Sequence, residues 1–459
     1  MSLPASLPAS QPMSEPRGDK LHAIVYEGLP GAGQASSAQG GPSGSQGGGP
    51  RPDGLTLLSP LADLRPTFDV RTGALTTLER LKLVLGLSVV GQIVREELVP
   101  LVRERAGASA VVVNHEDRMP PATLHVNGRC VLPRAEEIIA LRPGECLVEQ
   151  RSGDWIAVAC EPAQSARLAK QLRAGDLTGL RATVVDRHVL LGRAWHVRTL
   201  RDAALALDLS LLMKREQQIH PHALHAYPGV TLIGDHPLDI AASAQVFPSV
   251  VLDASAGPIF ISHRAVIRPQ ALIAGPAFVG EGSTVLDKAL IKSGTAIGPT
   301  CKVAGEVGGT IIQGFSNKAH DGHLGDSWLG EWVNLGAGTT NSNLLNTYGE
   351  VTARPLPDAS MERTGETFLG AIVGDHVKTA IGSRLMTGCI LHLGGMFAQT
   401  SPVAGTTPPF AWATDAGVKR FRLDKFLEVA RASMSRRKLT PGDAYVARIA
   451  ALAEAPIRG

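Results

Sequence analysis

The sequence predicts two fold classes in one chain: a mixed α/β region up to about residue 205, and an all-β parallel β-helix after about residue 229. Two observations predict them. Between residues 55 and 200, strand-like runs alternate with helical patterns, the mark of an α/β domain. After that, Ile261, Ile267, Ile273, Val279, Val285, Ile291, Ile297 and Val303 fall on a period of six, which is neither the strand nor the helix period.

The elements follow in chain order. Residues 1–20 form a Pro/Ser/Ala tail expected to be disordered. "LHAIVYEG" (21–28) alternates like a strand and opens an α/β domain over 21–205. The Gly-rich run 29–54 that follows has no GK[ST], no correctly spaced GxGxxG and no helix start, so it is expected to be a disordered insertion and not a phosphate-binding loop. "GALTTLERLKLVLGLSVVGQIVREELVPLVRERAG" reads as helical, with "LKLVLGLSVVGQIV" (81–94) a buried helix. "ATLHVNGRCVL" and "CLVEQRSGDWIAVAC" read as strands. A linker helix is expected over 206–228, the β-helix over 229–408 and a helical C-terminal extension over 409–459.

A six-residue aliphatic repeat suits a solenoid in which each hexad gives a short strand and a corner, three hexads close one coil, and the aliphatic points inward. Small and Gly residues beside it suit the tight corners. Leu329 and Leu335 resume the spacing after "AGEVGGTIIQGFSNKAHDGHLGDSW" (304–328), which is expected to leave the coil as a loop on one face. His320 and His323 lie in it with Asn317, Lys318 and Asp321, and Asn334, Asn341 and Asn343 follow, a concentration of polar groups that suggests a site.

Composition narrows the function. A formal charge of +3, from 45 basic and 42 acidic residues, gives no single-sign field to hold nucleic acid or an anionic membrane. No apolar run has the length of a signal peptide core or a membrane span, and five scattered cysteines without CxxC spacing suit reduced thiols. A cytoplasmic protein is expected.

"GPAFVGEGSTVLDKALIKSGTAIGPTCKVAGEV", "IIQGFSNKAHDGHLGDSWLGEWVNLGAGTTNSNL" and "TGETFLGAIVGDHVKTAI" closely resemble the sugar nucleotidyltransferases related to the bifunctional N-acetylglucosamine-1-phosphate uridyltransferase/glucosamine-1-phosphate acetyltransferase. "LRPTFDVRTGALTTLERL" (64–81) and "VNGRCVLP" (126–133) resemble the N-terminal domain of the same family, so the likeness runs from about 55 to 412. The resemblance implies a nucleotidyltransferase-like α/β domain, a left-handed winding of the β-helix, a homotrimer, acetyl-CoA as acyl donor, and a sugar phosphate or nucleotide sugar as substrate. Laid on the acetyltransferase pattern, His320 falls on the catalytic base, His323 on a substrate-contacting tyrosine and Asn334 on a sugar-phosphate contact. Ala337 falls on a coenzyme A backbone contact and Asn343 on an acyl-CoA contact. His323 and Leu344 depart from the pattern, which puts the acceptor's identity in question. Lys292 and Lys318 are candidate phosphate partners.

An imidazole with an ordinary pKa near ~6.5 can accept the nucleophile's proton at neutral pH, as acyl transfer from a thioester requires. In the N-terminal half the expected nucleotide loop is replaced by the insertion. Arg65, Asp69 and Arg71 remain candidates for a nucleoside triphosphate and Mg²⁺, beside an equally weighted reading as a structural ion-pair cluster. Two other classes stay open at this point: a zinc enzyme of the β-helix carbonic anhydrase type using His320, His323 and His376, and a non-catalytic trimeric scaffold that binds sugar nucleotides.

Overall fold

A computed structural model describes residues 21–28, 56–107, 111–214 and 227–455. The expectations for residues 1–20, the insertion 29–54 and the stretch 215–226 lie outside them. The chain divides into two compact units. The first comprises the chain up to Leu58 with Arg65–Asp69 and Thr77–Arg193; the second comprises Ser59–Leu64, Val70–Thr76 and everything from Ala194. The domain boundary expected at 205 falls inside the helix Arg201–Met213.

The first unit is built on strands β1 (Leu21–Tyr26), β2 (Leu87–Ile93), β3 (Val112–Val113), β4 (Leu124–Asn127), β5 (Glu145–Glu149), β6 (Trp155–Ala159) and β7 (Arg181–Val185), in the order β3-β2-β1-β4-β6-β5-β7. The strands β3, β2, β1 and β4 run parallel, and β6 is antiparallel to both neighbours. β1 is buried from Ala23 to Tyr26, as a central strand covered on both faces must be. The helix expected over 81–94 is not formed. The helix Thr77–Leu85 stops at Gly86, which adopts φ +63, and the chain continues as β2. Glycine enters the left-handed region that ends a helix at little cost, and the following Val89, Val90 and Ile93 favour a pleated strand.

In the second unit, successive short strands pass in rotation to three parallel sheets. Strands Val266–Ile267, Leu272–Ala274 and Ala277–Val279 lie one in each, and Thr284–Val285 returns to the first. Register partners such as Ile267 and Val285, Ile273 and Ile291, or Val279 and Ile297 stand one coil apart. All eight residues of the repeat are 0 % exposed, so the six-residue spacing marks the inward stack of a parallel β-helix. Each such Val or Ile contributes about 1.5–3 kcal/mol by burial.

The expected loop over 304–328 is not a loop. Inward positions continue through it at Val307, Ile312, Lys318, Leu324 and Leu329, paired one coil apart with Ile291, Ile297, Val303, Val307 and Ile312. The coil persists; the spacing shortens to four and then five residues after Val303, around Gly308 and Gly309, so a strict hexad count loses the register. The excursion lies later, between Asn341 and Ile372. It contains the antiparallel pair Thr352–Ala353 and Glu362–Arg363, closed at its neck by a bridge between Leu344 and Phe368.

Segments 59–64 and 70–76 pack onto this unit. The Arg71 N–H donates to Gln313 Oε1 at 2.8 Å, and Trp328 Nε1 donates to the Arg71 carbonyl at 3.0 Å. Ser59 Oγ pairs with His392 Nδ1 at 3.0 Å. The helical extension expected from 409 begins instead with strands: Ala411–Thr414 and the antiparallel Gly417–Arg420 close one edge, and helices Leu423–Ser435 and Asp443–Glu454 follow. Lys419 and Arg420 on the outer strand oppose further strand addition. Among the described residues, no helix is long and apolar enough to cross a membrane.

Candidate functional site

The polar residues singled out from the sequence gather on the flank of the β-helix between coils 290 and 343. Lys318 is the first surprise. It occupies an inward position in register with Val303 and is 1 % exposed. Its Nζ donates to the carbonyls of Ala304 (3.3 Å), His320 (2.6 Å) and Asp321 (3.0 Å). Burial pulls its pKa down to about 8, with Asp321 opposing. The expected phosphate partner is therefore a corner brace: an ammonium already held by three carbonyls inside the coil does not reach a ligand outside.

That brace fixes the corner carrying His320. The His320 side chain is exposed, borders an open groove with Asp287, Lys288 and Gly305, and has no hydrogen-bond partner for its ring among the described residues. His323 begins the next strand, His323–Gly325, in register with Glu306 one coil below. Its Nδ1 lies 3.3 Å from Glu306 Oε1. The same oxygen takes the Lys292 ammonium at 3.1 Å, so Lys292 is engaged as Glu306's partner. Hydrogen bonding from Lys292 comes first among the influences on the Glu306 carboxyl, and with His323 it holds that group below its ordinary range. Lys292, Glu306 and His323 thus form a line across three coils.

The other side of this line is Asn343. Its Nδ2 donates to Asp326 Oδ2 at 2.7 Å, and Asp326 Oδ1 is held by Arg198 Nε (2.9 Å) and Arg201 Nη1 (2.7 Å). The two arginines come from helices His196–Thr199 and Arg201–Met213, beside the coil. Between His323 and Asn343 lies Gly325. A Cβ built there would stand 2.6 Å from His323 Nε2 and 2.8 Å from Asn343 Nδ2, so glycine is what lets these two polar atoms close over the strand at this point. Asn341 braces the floor: Gly325 N–H donates to its Oδ1 at 2.7 Å, and its Nδ2 donates to the Gly325 carbonyl at 2.9 Å.

The remaining candidates are more dispersed. Asn334 is exposed, its Oδ1 accepting from Asn317 Nδ2 at 3.3 Å, and the Ala337 carbonyl accepts from Gly382 N–H at 2.7 Å. His376 does not join the other histidines: it is buried, packs on Trp332 and Phe426, and bonds to Tyr445 through Nε2 at 2.8 Å. A zinc ligand set of His320, His323 and His376 is therefore not assembled within the chain, and no group of three metal-binding side chains occurs among the described residues.

In the first unit, sheet order reverses around β1 and β4, so a crevice is expected beyond their carboxyl ends. Arg65 is buried and Asp69 half-buried near it, since Thr67 Oγ1 donates to the Glu27 carbonyl and Phe68 fills the space above Gly128. Arg71 belongs to the other unit, where its side chain bonds the carbonyls of Gln313 and Ala74; it is a brace, not a nucleotide ligand. Sequence reasoning missed Glu27 and Arg129 here. Glu27 is held by Arg95 (2.8 Å) and Arg129 by Asp154 (2.6 Å). Burial raises the Glu27 carboxyl, with Arg95 opposing. Each of these acids already carries an arginine, a poor donor set for a hard divalent cation, which takes several free oxygens. On the β-helix the missed residues are Glu306, Asp326, Arg198 and Arg201. Glu306 was accessible, because it sits 17 positions before His323, one shortened coil away.

Comparison with known proteins agrees with the family resemblance. Residues 53–217 match the family model described as sugar nucleotidyl transferase. The bifunctional protein GlmU of Synechococcus elongatus is 31% identical over 100 residues, 21% of each chain. A bifunctional sugar-1-phosphate nucleotidylyltransferase/acetyltransferase of Sulfurisphaera tokodaii is 32% identical over 99 residues, 22% of this chain and 23% of that one. The chain thus aligns with about a fifth of the length of these curated relatives. Among solved structures, the Francisella novicida UDP-N-acetylglucosamine acyltransferase aligns with 44% of this chain and 73% of its own at 14% identity and a TM-score of 0.23. A hexapeptide transferase family protein from Anaplasma phagocytophilum aligns with 48% and 96% at 16% identity and a TM-score of 0.18.

Proposed function

We propose that this chain is a transferase of sugar-nucleotide metabolism, whose β-helix moves an acyl group from acetyl-CoA to an amino-sugar phosphate or a nucleotide sugar. The observation that carries this reading is the imidazole nitrogen of His323 and the carboxamide of Asn343 brought together over Gly325, on a coil whose corner presents a second histidine. A basic nitrogen beside a fixed hydrogen-bond donor is what an attacking amine or hydroxyl needs. The family match supports a sugar-nucleotide substrate, and the Sulfurisphaera tokodaii relative, named as a nucleotidylyltransferase/acetyltransferase, supports the acyl donor.

Asn343 and Ala337 would contact the acyl-CoA and Asn334 the sugar phosphate, with the complete site formed in a homotrimer. The first unit, which carries the sugar nucleotidyl transferase match, would bind a nucleotide or sugar phosphate in a crevice of its own. The five thiols, all free and buried, support a reducing cytoplasmic setting. The test is thiol release from acetyl-CoA in the presence of glucosamine 1-phosphate or a UDP-linked amino sugar. Acceptor-dependent release with an acylated product in the mass spectrum supports the reading. Its absence with every acceptor sinks it.

A further inference from the structure

We propose that Lys302, Lys378 and Arg437, gathered around Asn317 and Asn334 on an outer face of the β-helix, form a phosphate site that holds the anionic end of the acceptor. The inference deepens the acyl-transfer reading above, which supplies the acceptor; the anion site itself rests on the geometry.

Register brings these residues together. Lys302 pairs with Asn317, Asn317 with Asn334 and Asn334 with Lys378, each one coil on from the last. Val303, Lys318 and Leu335 beside them are buried in the coil, so this ladder points outward. At the spacing of neighbouring strands it spans about 14 Å. Arg437 reaches the ladder from the turn after the helix Leu423–Ser435, and its Nη2 donates to Asn317 Oδ1 at 2.9 Å. Asn317 in turn gives its Nδ2 to Asn334 Oδ1 at 3.3 Å. The exposed Asn334 is left with its own amide as a donor that has no acceptor among the described residues.

The other groups on this face are donors too. Lys302 is exposed, and its ammonium has no hydrogen-bond or ion-pair partner among the described residues. Lys378 is half-buried between Asn334 and Met396, and of its three ammonium protons one is placed, on the Trp332 carbonyl at 3.0 Å. Burial pulls its pKa down to about 8, and no carboxylate opposes the shift. An ammonium drawn out of water without an anion is costly, and a bound anion would offset that cost. Lys292 and Lys318, by contrast, are already taken up by Glu306 and by three backbone carbonyls. Phosphate oxygens accept hydrogen bonds, and a guanidinium beside two ammonium groups and a carboxamide offers them donors without competing acids. The coils bearing Lys302 and Asn317 run on through Ala304 and Ala319 into the open groove beside His320. A phosphate on the ladder would leave its sugar to reach that corner.

The experiment measures binding to the full chain by calorimetry, with glucosamine, glucosamine 1-phosphate, a UDP-linked amino sugar and coenzyme A as probes. The double variant Lys378→Met/Arg437→Gln is expected to weaken binding of the phosphorylated acceptor by about 10²-fold or more and to leave coenzyme A affinity as in the wild type. The wild type should prefer glucosamine 1-phosphate to glucosamine by a similar factor, and the double variant should not. Lys302→Gln, at an exposed position, should weaken the phosphorylated acceptor about two- to fivefold without touching the packing. Arg437→Lys, which keeps the charge, should retain most of the affinity. Unchanged acceptor affinity in the double variant and in Lys302→Gln, a loss directed at coenzyme A instead, or a wild type that binds neither phosphorylated acceptor would each overturn the inference; thiol release by the wild type then decides the acyl-transfer reading separately. A wild type that releases no thiol, yet binds glucosamine 1-phosphate and loses it in these variants, would sink the acyl-transfer reading and keep the anion site.

Discussion

Gly325→Ala is predicted to separate chemistry from folding. The backbone at 325 is outside the left-handed region, so alanine meets no conformational penalty there. The new methyl would stand 2.6 Å from His323 Nε2 and 2.8 Å from Asn343 Nδ2, well inside van der Waals contact. Both are the far ends of side chains that reach 32% exposure at His323, so they can swing aside. The cost to stability should be about 1–3 kcal/mol, the usual range for one added methyl in a packed setting. Displacing His323 Nε2 and Asn343 Nδ2 by an ångström or more should lower kcat/KM by about 10²-fold. Gly370→Ala is the contrast, because its methyl would stand 2.0 Å from the Gly325 carbonyl oxygen, a backbone atom that cannot yield. The assay is thiol release from acetyl-CoA beside thermal unfolding of both variants. A Gly325→Ala protein with wild-type kcat/KM would refute the view that His323 and Asn343 act on the acceptor.

Three further predictions follow from the packing. Ile291→Asp places a charge in the inward stack at a position that is 0 % exposed, and should cost several kcal/mol; unchanged thermal unfolding would show that the side chain points elsewhere. Arg71→Ala removes the side-chain bond to the Gln313 carbonyl and should lower stability by about 1–3 kcal/mol, while sugar-phosphate and nucleotide affinity measured by calorimetry stay as in the wild type. Lys318, whose pKa is lowered from 10.5 to about 8 by burial, predicts a pH effect. Between pH 8 and 10.5 the unfolded chain holds this proton and the folded chain does not, so its contribution to stability rises with pH across that window and is lost as pH falls to 8. Buried thiols such as Cys301 and Cys389, raised to about 12, act in the opposite sense above pH 9. Denaturant unfolding of wild type and Lys318→Met, compared at each pH, isolates the lysine; parallel curves would show that its proton is not coupled to folding.

Much of the architecture was legible because burial imposes a period on the sequence. Each coil returns its inward side chain after three sides, and where every side has six residues the aliphatics from Ile261 to Val303 declare the solenoid outright. The register was lost where Gly308 and Gly309 shorten a side and a lysine stands where an aliphatic is expected. A buried Lys318 can be recognised only once its three carbonyl acceptors are seen. The misread helix over 81–94 has a similar cause: Gly86 divides an apolar stretch whose first half satisfies the helical period and whose second half is β-branched, and composition alone cannot place the break. Of the candidate site, the histidines and asparagines were visible as types. Of their supports only Glu306 was within reach, one shortened coil before His323, while Asp326, Arg198 and Arg201 are brought in by coil register and by helices distant in sequence.

The interleaving of segments 59–64 and 70–76 with the second unit bears on how the chain is made. Leu61, Leu64, Val70 and Ala74 are wholly or almost wholly buried, and the groups that bond this stretch, Gln313, Trp328 and His392, are translated much later. On the ribosome these early apolar residues have no surface to settle on until most of the β-helix has emerged. A nascent chain halted before that point would present them to chaperones or to other unfinished chains. A fragment ending at Arg193 would do so permanently, and one beginning at Ala194 would leave the face bearing Gln313 and Trp328 bare, so neither half is a sound piece to express alone.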